Sequence, residues 1–508
     1  MKNQKTFLRW PVWRRRLVPG LAVVVFATAS GTAGASPLFE LAGAVQGQGG
    51  LNARAQESGA ASAYFNPAFL PDAEEGLQIG VFGLADQIGV QLRGRPSQDS
   101  EVPIESVDME MPGGGRYPRY GVPTAWLDRG RAAEPPDAPL RARPRQAAGT
   151  GHNRRIYQVA GLVKKFWGNR LGAGIYAMVP YGKFTGAAAF YSDEREQYFS
   201  NSLHPELYSD RLTATALAFG LGARVSPRLS LGASATLSLR TVATTPTYVT
   251  DVGNFQSIVV DSKVDVSMAL APHVSAVFAA TPGTRLSVTA HSPQKLEIVT
   301  DFSFLLVNGL EQSAALQFTH AYLPWMFGAG VAHDFSSGET SGVELVASGL
   351  YALWSNYIDR HGHTPSGAYR WYDTLSGALG LRYRDGAGRA FLDVGYQPSP
   401  VPAQTGRTNY VDGARASLST GLDFGLRVWG GSLRLGLQVQ AHRILPRTTV
   451  KSVVGGQGGV IDEVPDDAVI GGQPLAGRAG LQTNNPGWPG FRSGGWVLGE
   501  SLHATFIF

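Results

Sequence analysis

The chain has no cysteine in 508 residues, which excludes disulfide scaffolds, thiolate metal sites and cysteine nucleophiles. Beyond the N-terminus it has no apolar run long enough for a helical span, and its mean hydropathy is −0.07, which argues against a polytopic helical protein. A concentrated basic surface is missing as well. The formal charge is +5, but six basic and no acidic residues fall in the first 35 positions, so the rest of the chain carries −1. Nucleic acid, which needs clustered lysine and arginine against its phosphates, is therefore not an expected partner. Low hydropathy does not exclude a membrane crossed by strands, because only alternate residues of such a strand meet lipid.

At the N-terminus, Lys2, Lys5, Arg9, Arg14, Arg15 and Arg16 precede an apolar stretch from Leu17 to Ala29, and Ala33-Gly34-Ala35 forms a small-residue cleavage site. This pattern predicts a cleavable export signal over residues 1–35 and a mature start at Ser36. Retention as a helical anchor is disfavoured, since the stretch contains Pro19 and Gly20 and falls short of the ~18 apolar residues needed to span. At the other terminus Leu498, Leu502, Ala504, Phe506 and Phe508 alternate with Gly499, Ser501, His503 and Thr505. A last strand ending in Phe, behind an export signal, predicts a β-barrel in the outer membrane of a Gram-negative bacterium.

The same period of two recurs through the chain. Leu229, Leu231, Ala233, Ala235, Leu237 and Leu239 alternate with small polar residues and Arg240, and Leu418 to Val428 and Leu433 to His442 repeat the pattern. Short turn signals fall at Trp167-Gly168-Asn169-Arg170, Ser226-Pro227-Arg228, Thr281-Pro282-Gly283-Thr284, Ser336 to Gly342, Asp385-Gly386-Ala387-Gly388 and Gly430-Gly431. Six turns join twelve strands, and one strand after Gly76 and one ending at Phe508 bring the barrel to about 14. The 64 glycines, against a base rate of about 7 %, suit tight turns and thin wall positions. Two long polar insertions, Gln91 to His152 and Pro446 to Gly494, are expected as loops at the outer mouth.

Before the first strand, residues 36–75 lack alternation and mix small residues with isolated apolar anchors, which suits short helices tucked inside a barrel. Within them Ala63-Tyr64-Phe65-Asn66-Pro67-Ala68 resembles the hatch of the long-chain fatty acid transporter family of outer-membrane proteins. Ser399-Pro400-Val401-Pro402-Ala403-Gln404, followed by Asp412 and Arg415, is similar to that family's late hairpin, and Leu323-Pro324 at the start of a descending strand is a further echo. The resemblance implies an all-β fold: a monomeric transmembrane antiparallel barrel over 76–508 with an N-terminal hatch inside. It also implies passive carriage of hydrophobic compounds, fatty acids or hydrocarbons. In the family, ligand captured by the outer loops reaches an interior site contacted by the N-terminus and leaves sideways at an inward kink in the third strand.

Carried onto this chain, the resemblance implies hatch contacts to ligand from Ser36, Leu38, Phe39, Asn66, Pro67 and Ala68, and a wall kink at Pro180, Tyr181 and Gly182. Pro removes a ladder donor and Gly permits unusual dihedrals, although Pro180 ending its strand is an equally open reading. Trp325 stands where the family has an acidic residue and Phe318 where it has a basic one, so a partner for a carboxylate is not secured. Arg240 and Arg434, with Arg427, fall on the lumen parity as candidate anion contacts, with solvated or paired charge as the alternative. His361 and His363 lie in a loop without cysteine or a carboxylate cluster, so neither metal nor cofactor is expected. Trp167, Tyr181, Trp354, Tyr357 and Trp496 are expected in the interfacial girdles. Expected partners are hydrophobic small molecules, outer-membrane lipid and lipopolysaccharide, and the barrel assembly machinery. A general solute porin and, as an enzyme, an outer-membrane lipase are the alternatives; the first would pass small polar solutes, the second would need a Ser, His and acid constellation that nothing in the sequence fixes.

Overall fold

The computed structural model describes residues 37–93, 153–181, 205–212, 215–237, 242–251, 256–266, 270–305, 311–335, 341–359, 370–404, 409–428, 431–451 and 490–508, with a few shorter pieces between them. Eighteen strands longer than two residues follow in chain order: β1 Gly76–Leu92, β2 Asn153–Phe166, β3 Leu171–Pro180, β4 Ala216–Ser226, β5 Leu229–Leu237, β6 Val242–Asp251, β7 Gln256–Val266, β8 Leu270–Thr281 and β9 Thr284–His291. They continue as β10 Gln294–Leu305, β11 Glu311–Leu323, β12 Met326–Asp334, β13 Ser341–Ala352, β14 Thr374–Asp385, β15 Gly388–Gln397, β16 Arg415–Val428, β17 Gly431–Val450 and β18 Gly490–Ile507.

Fourteen of these form one closed antiparallel wall in the order β1-β18-β17-β16-β15-β14-β13-β12-β9-β8-β5-β4-β3-β2, with β2 pairing back onto β1. Closure removes every sheet edge, which a sheet in lipid requires. Each of the six expected short turns joins two wall strands. At the first, Trp167, Gly168 and Asn169 all have positive φ, which explains why Gly and Asn stand in a four-residue reversal.

Alternation gives the wall its two faces. Leu375, Leu379, Leu422 and Leu502 are each 62–69 % exposed, whereas Ser419, Gln438, His442 and Ser501, on the opposite parity of β16, β17 and β18, are 0–1 % exposed. So much exposed apolar surface over a polar interior is stable only with hydrocarbon around it.

Four neighbouring wall strands are prolonged beyond a crease. The sheet β11-β10-β7-β6 follows the neighbour order of β12-β9-β8-β5, and the register is the same on both sides: His291↔Met326 is followed by Gln294↔Leu323. Pro293 and Pro324 lie at the crease, where they cannot donate to the ladder.

The two insertions are shorter than expected from sequence. Gln91 and Leu92 still pair with β18, and β17 runs past Pro446 to Val450, opposite Gly490. The polar composition around Pro446 hides this, but a register shift between Ile444 and Arg447 absorbs the proline as a bulge. Residues 94–147 and 452–468, which make up most of both insertions, lie outside the described residues.

Residues 37–75 form short turns around α1 Leu38–Ala42 and α2 Ser62–Phe65, followed by a 3-10 turn at Pro67–Phe69. Pro67 opens that turn because its missing N–H is not needed there, and Asn66 before it is held extended at φ −162 and ψ 87. The segment packs against inward-facing residues all round the wall. Ala60 N–H donates to Gln78 Oε1 on β1 (2.9 Å), Ala68 N–H to Ser275 Oγ on β8 (3.0 Å), and Ser501 on β18 donates to Val45 O (2.7 Å).

Candidate functional site

The strongest polar tie between the segment and the wall is on β15. Asp393, fully buried, accepts from both guanidinium nitrogens of Arg382 on β14 (2.6 and 3.1 Å), from Leu51 N–H (2.9 Å) and from Asn52 Nδ2 (2.8 Å). Arg382 also donates to Gly49 O (3.0 Å), and Ser348 on β13 donates to Asn52 Oδ1 (2.8 Å). A buried ion pair with all these bonds made fixes position, because breaking it would strand a charge away from water.

Above this clamp lies an interior cavity of about 110 Å³ between the segment and β13–β16. Pro37, Leu41 and Leu51 line it from the segment, with Leu207, Leu350 and Trp354 opposite. Its polar lining is already partnered in part: Glu40 accepts from Arg54 (2.6 Å) and from the Tyr64 hydroxyl (2.6 Å). Arg415 also lines it, donating from Nη2 to Gln397 Oε1 (2.6 Å) while its Nε has no partner among the described residues. The cavity thus joins an apolar body to one cationic edge. At about 110 Å³ it is smaller than the ~300–1,000 Å³ of a typical small-molecule pocket, so a long ligand needs its lining to move.

Of the residues singled out from sequence, Leu38 and Phe39 are buried in the main apolar cluster, Phe39 stacked on Tyr176 of β3 (5.1 Å) and against Tyr64 (4.5 Å). Asn66 donates from Nδ2 to Arg54 O (2.8 Å), inside the segment and not across the wall, and Pro67 and Ala68 press on β4 and β5. Pro180 ends β3; Tyr181 is 62 % exposed, with its N–H donating to Ile156 O (2.7 Å). Ser36, Gly182, Arg240, His361 and His363 lie outside the described residues, as does the side chain of Phe318. Arg434 is paired with Glu74 (3.1 Å), which Arg389 also holds (2.7 Å).

The cations at the cavity are therefore Arg415 and Arg54, neither of which sequence parity singled out as a ligand contact. Arg415 stood within the late-hairpin resemblance, the one signal that pointed to it. Trp354 and Tyr357 correct the girdle expectation. They are 3 % and 2 % exposed, and Tyr357 stacks on Trp371 at 3.6 Å, with Tyr410 5.2 Å from Trp371. Proximity to a strand end does not decide whether an aromatic turns to lipid or folds over the barrel mouth. Beside this cluster Asp412 accepts from Ser399, and burial pushes its carboxyl up to about 6 in spite of that bond and of Arg447.

No family model matches the chain, and no curated protein matches it in sequence. Among solved structures it is similar to a FadL homologue from Pseudomonas aeruginosa, with 16 % identity, 94 % of this chain and 100 % of that one covered, and a TM-score of 0.53. The toluene transporter TodX from Pseudomonas putida gives 12 % identity over 94 % of this chain and 99 % of that one, with a TM-score of 0.44. The toluene transporter TbuX from Ralstonia pickettii gives 14 % identity over 94 % and 99 %, with a TM-score of 0.42. The first of these likenesses shows that the chain has the fold of the FadL barrel.

Proposed function

We propose that the protein is a passive outer-membrane channel for hydrophobic small molecules, long-chain fatty acids or hydrocarbons, with residues 37–75 acting as its hatch. The observation that carries this reading is the ring of contacts from that segment to the inward faces of β1, β8, β13, β15 and β18, which leaves a small cavity with apolar walls instead of a wide polar lumen. A segment so placed obstructs bulk water while letting an apolar guest exchange one non-aqueous environment for another. Each methylene kept from water is worth ~0.8 kcal/mol, so release into lipid needs no energy source. In this reading residues 1–35 are removed on export, the short turns face the periplasm, and the barrel is a monomer placed in lipid and lipopolysaccharide by the assembly machinery. A sideways exit at Pro180 to Gly182, as in the resembling family, belongs to the same reading.

The test is reconstitution. The protein should give little single-channel conductance yet speed the entry of N-phenylnaphthylamine into lipid vesicles; steady large conductance with vesicle swelling in sugar solutions would make it a porin. Arg415→Gln separates the two ligand classes. It should weaken binding of a long-chain acid about tenfold and leave the matching alkane unchanged, as loss of one charge-assisted contact requires.

A further inference from the structure

The interior cavity has a counterpart on the lipid face of the same stretch of wall. An open furrow of about 700 Å³ runs across β12–β15, and Ser348, Gly349, Gly377, Ala378, Gly395 and Tyr396 line both it and the cavity behind. The register explains the furrow. Ala329, Gly349 and Gly377 stand directly opposite one another on the outward parity, between a row formed by Val331, Ala347, Leu379 and Val394 and a row formed by Phe327, Tyr351 and Leu375. On the inward parity Gly395 is bare as well, so across β13 and β14 the wall is reduced to little more than its backbone, and the Tyr396 side chain, opposite Gly377, borders the thin place on β15. Close packing does not impose these glycines: a Cβ would come no nearer to another atom than 3.7 Å at Gly349, 3.5 Å at Gly377 and 3.4 Å at Gly395.

The ladder is also interrupted at this place. Pairing of β14 with β15 stops at Gly377↔Tyr396, although β14 continues along β13 as far as Thr374. Beyond Tyr396 the chain runs Gln397-Pro398-Ser399-Pro400, in which neither proline has an N–H to give. The seam is closed again by one bond, from Tyr372 N–H to Pro400 O (2.8 Å). The serine hydroxyls at the opening are turned to partners, Ser348 to Asn52 Oδ1 and Ser376 to Leu350 O (3.2 Å).

Resting on the transport reading above, we infer that the furrow and the cavity are the two mouths of one lateral passage. A narrow apolar molecule crosses the wall at the seam between β14 and β15, bounded by Gly349, Gly377 and Gly395, when the Pro398–Pro400 segment lifts. This passage is separate from the end of β3, where the described wall stops at Pro180. Lifting the segment breaks the one backbone bond that closes the seam and releases the Ser399 hydroxyl from Asp412 and from Arg447 (3.0 Å), whereas an opening in the middle of any fully paired hairpin would break several ladder bonds at once.

Because the chain has no cysteine, a single introduced thiol can be modified after the barrel has folded. Gly377→Cys and Gly349→Cys, reconstituted in vesicles of phospholipid and lipopolysaccharide, should speed N-phenylnaphthylamine entry as the unaltered protein does. Reaction with pyrenyl maleimide should then slow it about tenfold or more, a barrier increase of about 1.4 kcal/mol, while methyl methanethiosulfonate, which adds only a thiomethyl group, should have a smaller effect. The same maleimide on Leu422→Cys, at a lipid-facing site of β16, should change nothing. If the labelled Gly377→Cys and Gly349→Cys proteins keep the unlabelled rate, or labelled Tyr181→Cys alone is blocked, the passage is not at this seam and the inference falls while the transport reading stands. If the unaltered protein does not speed entry at all, the transport reading fails and takes the passage with it.

Discussion

On β3, β4 and β5 the inward glycines stand against the N-terminal segment. A Cβ at Gly172 would lie 2.5 Å from the Leu70 backbone, at Gly222 2.2 Å from Pro67 O, and at Gly232 2.2 Å from Ala68 N. On β13–β15 the inward Gly395 has no neighbour inside 3.4 Å, Gly349 and Gly377 face outward, and the segment is held by the Asp393 clamp instead, beside which inward Gly380 leaves the room a Cβ would take 2.0 Å from Asp393 Oδ1. One half of the wall thus grips the segment by shape and the other by charge. Shape complementarity needs the glycine itself, whereas a clamp of hydrogen bonds leaves the glycines above it free for another purpose. Backbone meets backbone on the first side, which makes it the fixed side; the second has a bonded anchor below a thin, partly unpaired seam.

The largest effect should come from reversing the two kinds of glycine. Gly222→Val forces a side chain into the Pro67 carbonyl; overpacking costs about 1–3 kcal/mol where side chains can yield and more where backbone must move. Most of the protein should therefore fail to reach the compact, heat-modifiable form on a gel. Gly377→Val should assemble normally, and equal assembly of both variants would show that the two sides of the wall do not differ in how they hold the segment.

Next in size is the clamp. Asp393→Ala leaves Arg382 buried and Leu51 N–H and Asn52 without an acceptor, and removing one member of a buried pair costs about 3–5 kcal/mol. The barrel should still form, since its ladders are untouched, but with a lower thermal midpoint and with measurable conductance as the segment loosens on the β13–β15 side. A midpoint and conductance equal to those of the unaltered protein would show that shape alone holds the segment.

The smallest effect concerns the rim above the seam, where Ser399 bonds Asp412. Burial raises this carboxyl from its ordinary 3.8 to about 6, so the folded state holds a proton that the unfolded chain has already released. Stability from this group is therefore full below about pH 4 and declines as pH rises to about 6, then stays level. Asp412→Asn should flatten that decline in the thermal midpoint between about pH 4 and pH 7; an unchanged slope would assign it to another group.

Much of the fold is local and was therefore legible. A strand with lipid on one side and polar lumen on the other must alternate, and a short reversal must use residues such as Gly168, Asn169 and Gly386, so period and turns together give fourteen strands. The non-alternating stretch before Gly76 was equally visible, because a segment without a two-residue period cannot serve as wall. The candidate site was less legible. Arg415 and Arg434 both stand on strands with inward parity, yet Glu74 neutralises Arg434 and the cavity meets Arg415, a difference set by what lies across the lumen. Trp354 and Tyr357 were misplaced for the same reason.

The sequence by itself determined the barrel, the number of strands in its wall and the parity of the strands that alternate most regularly, because each depends on neighbours one to a few positions away. Only the tertiary structure decided which glycines are gripped and which are free. Gly222 and Gly395 are the same letter at inward positions of similar strands. One lies under Pro67 and the other beside an open seam, and that contact comes from residues more than a hundred positions apart brought together only when the barrel closes.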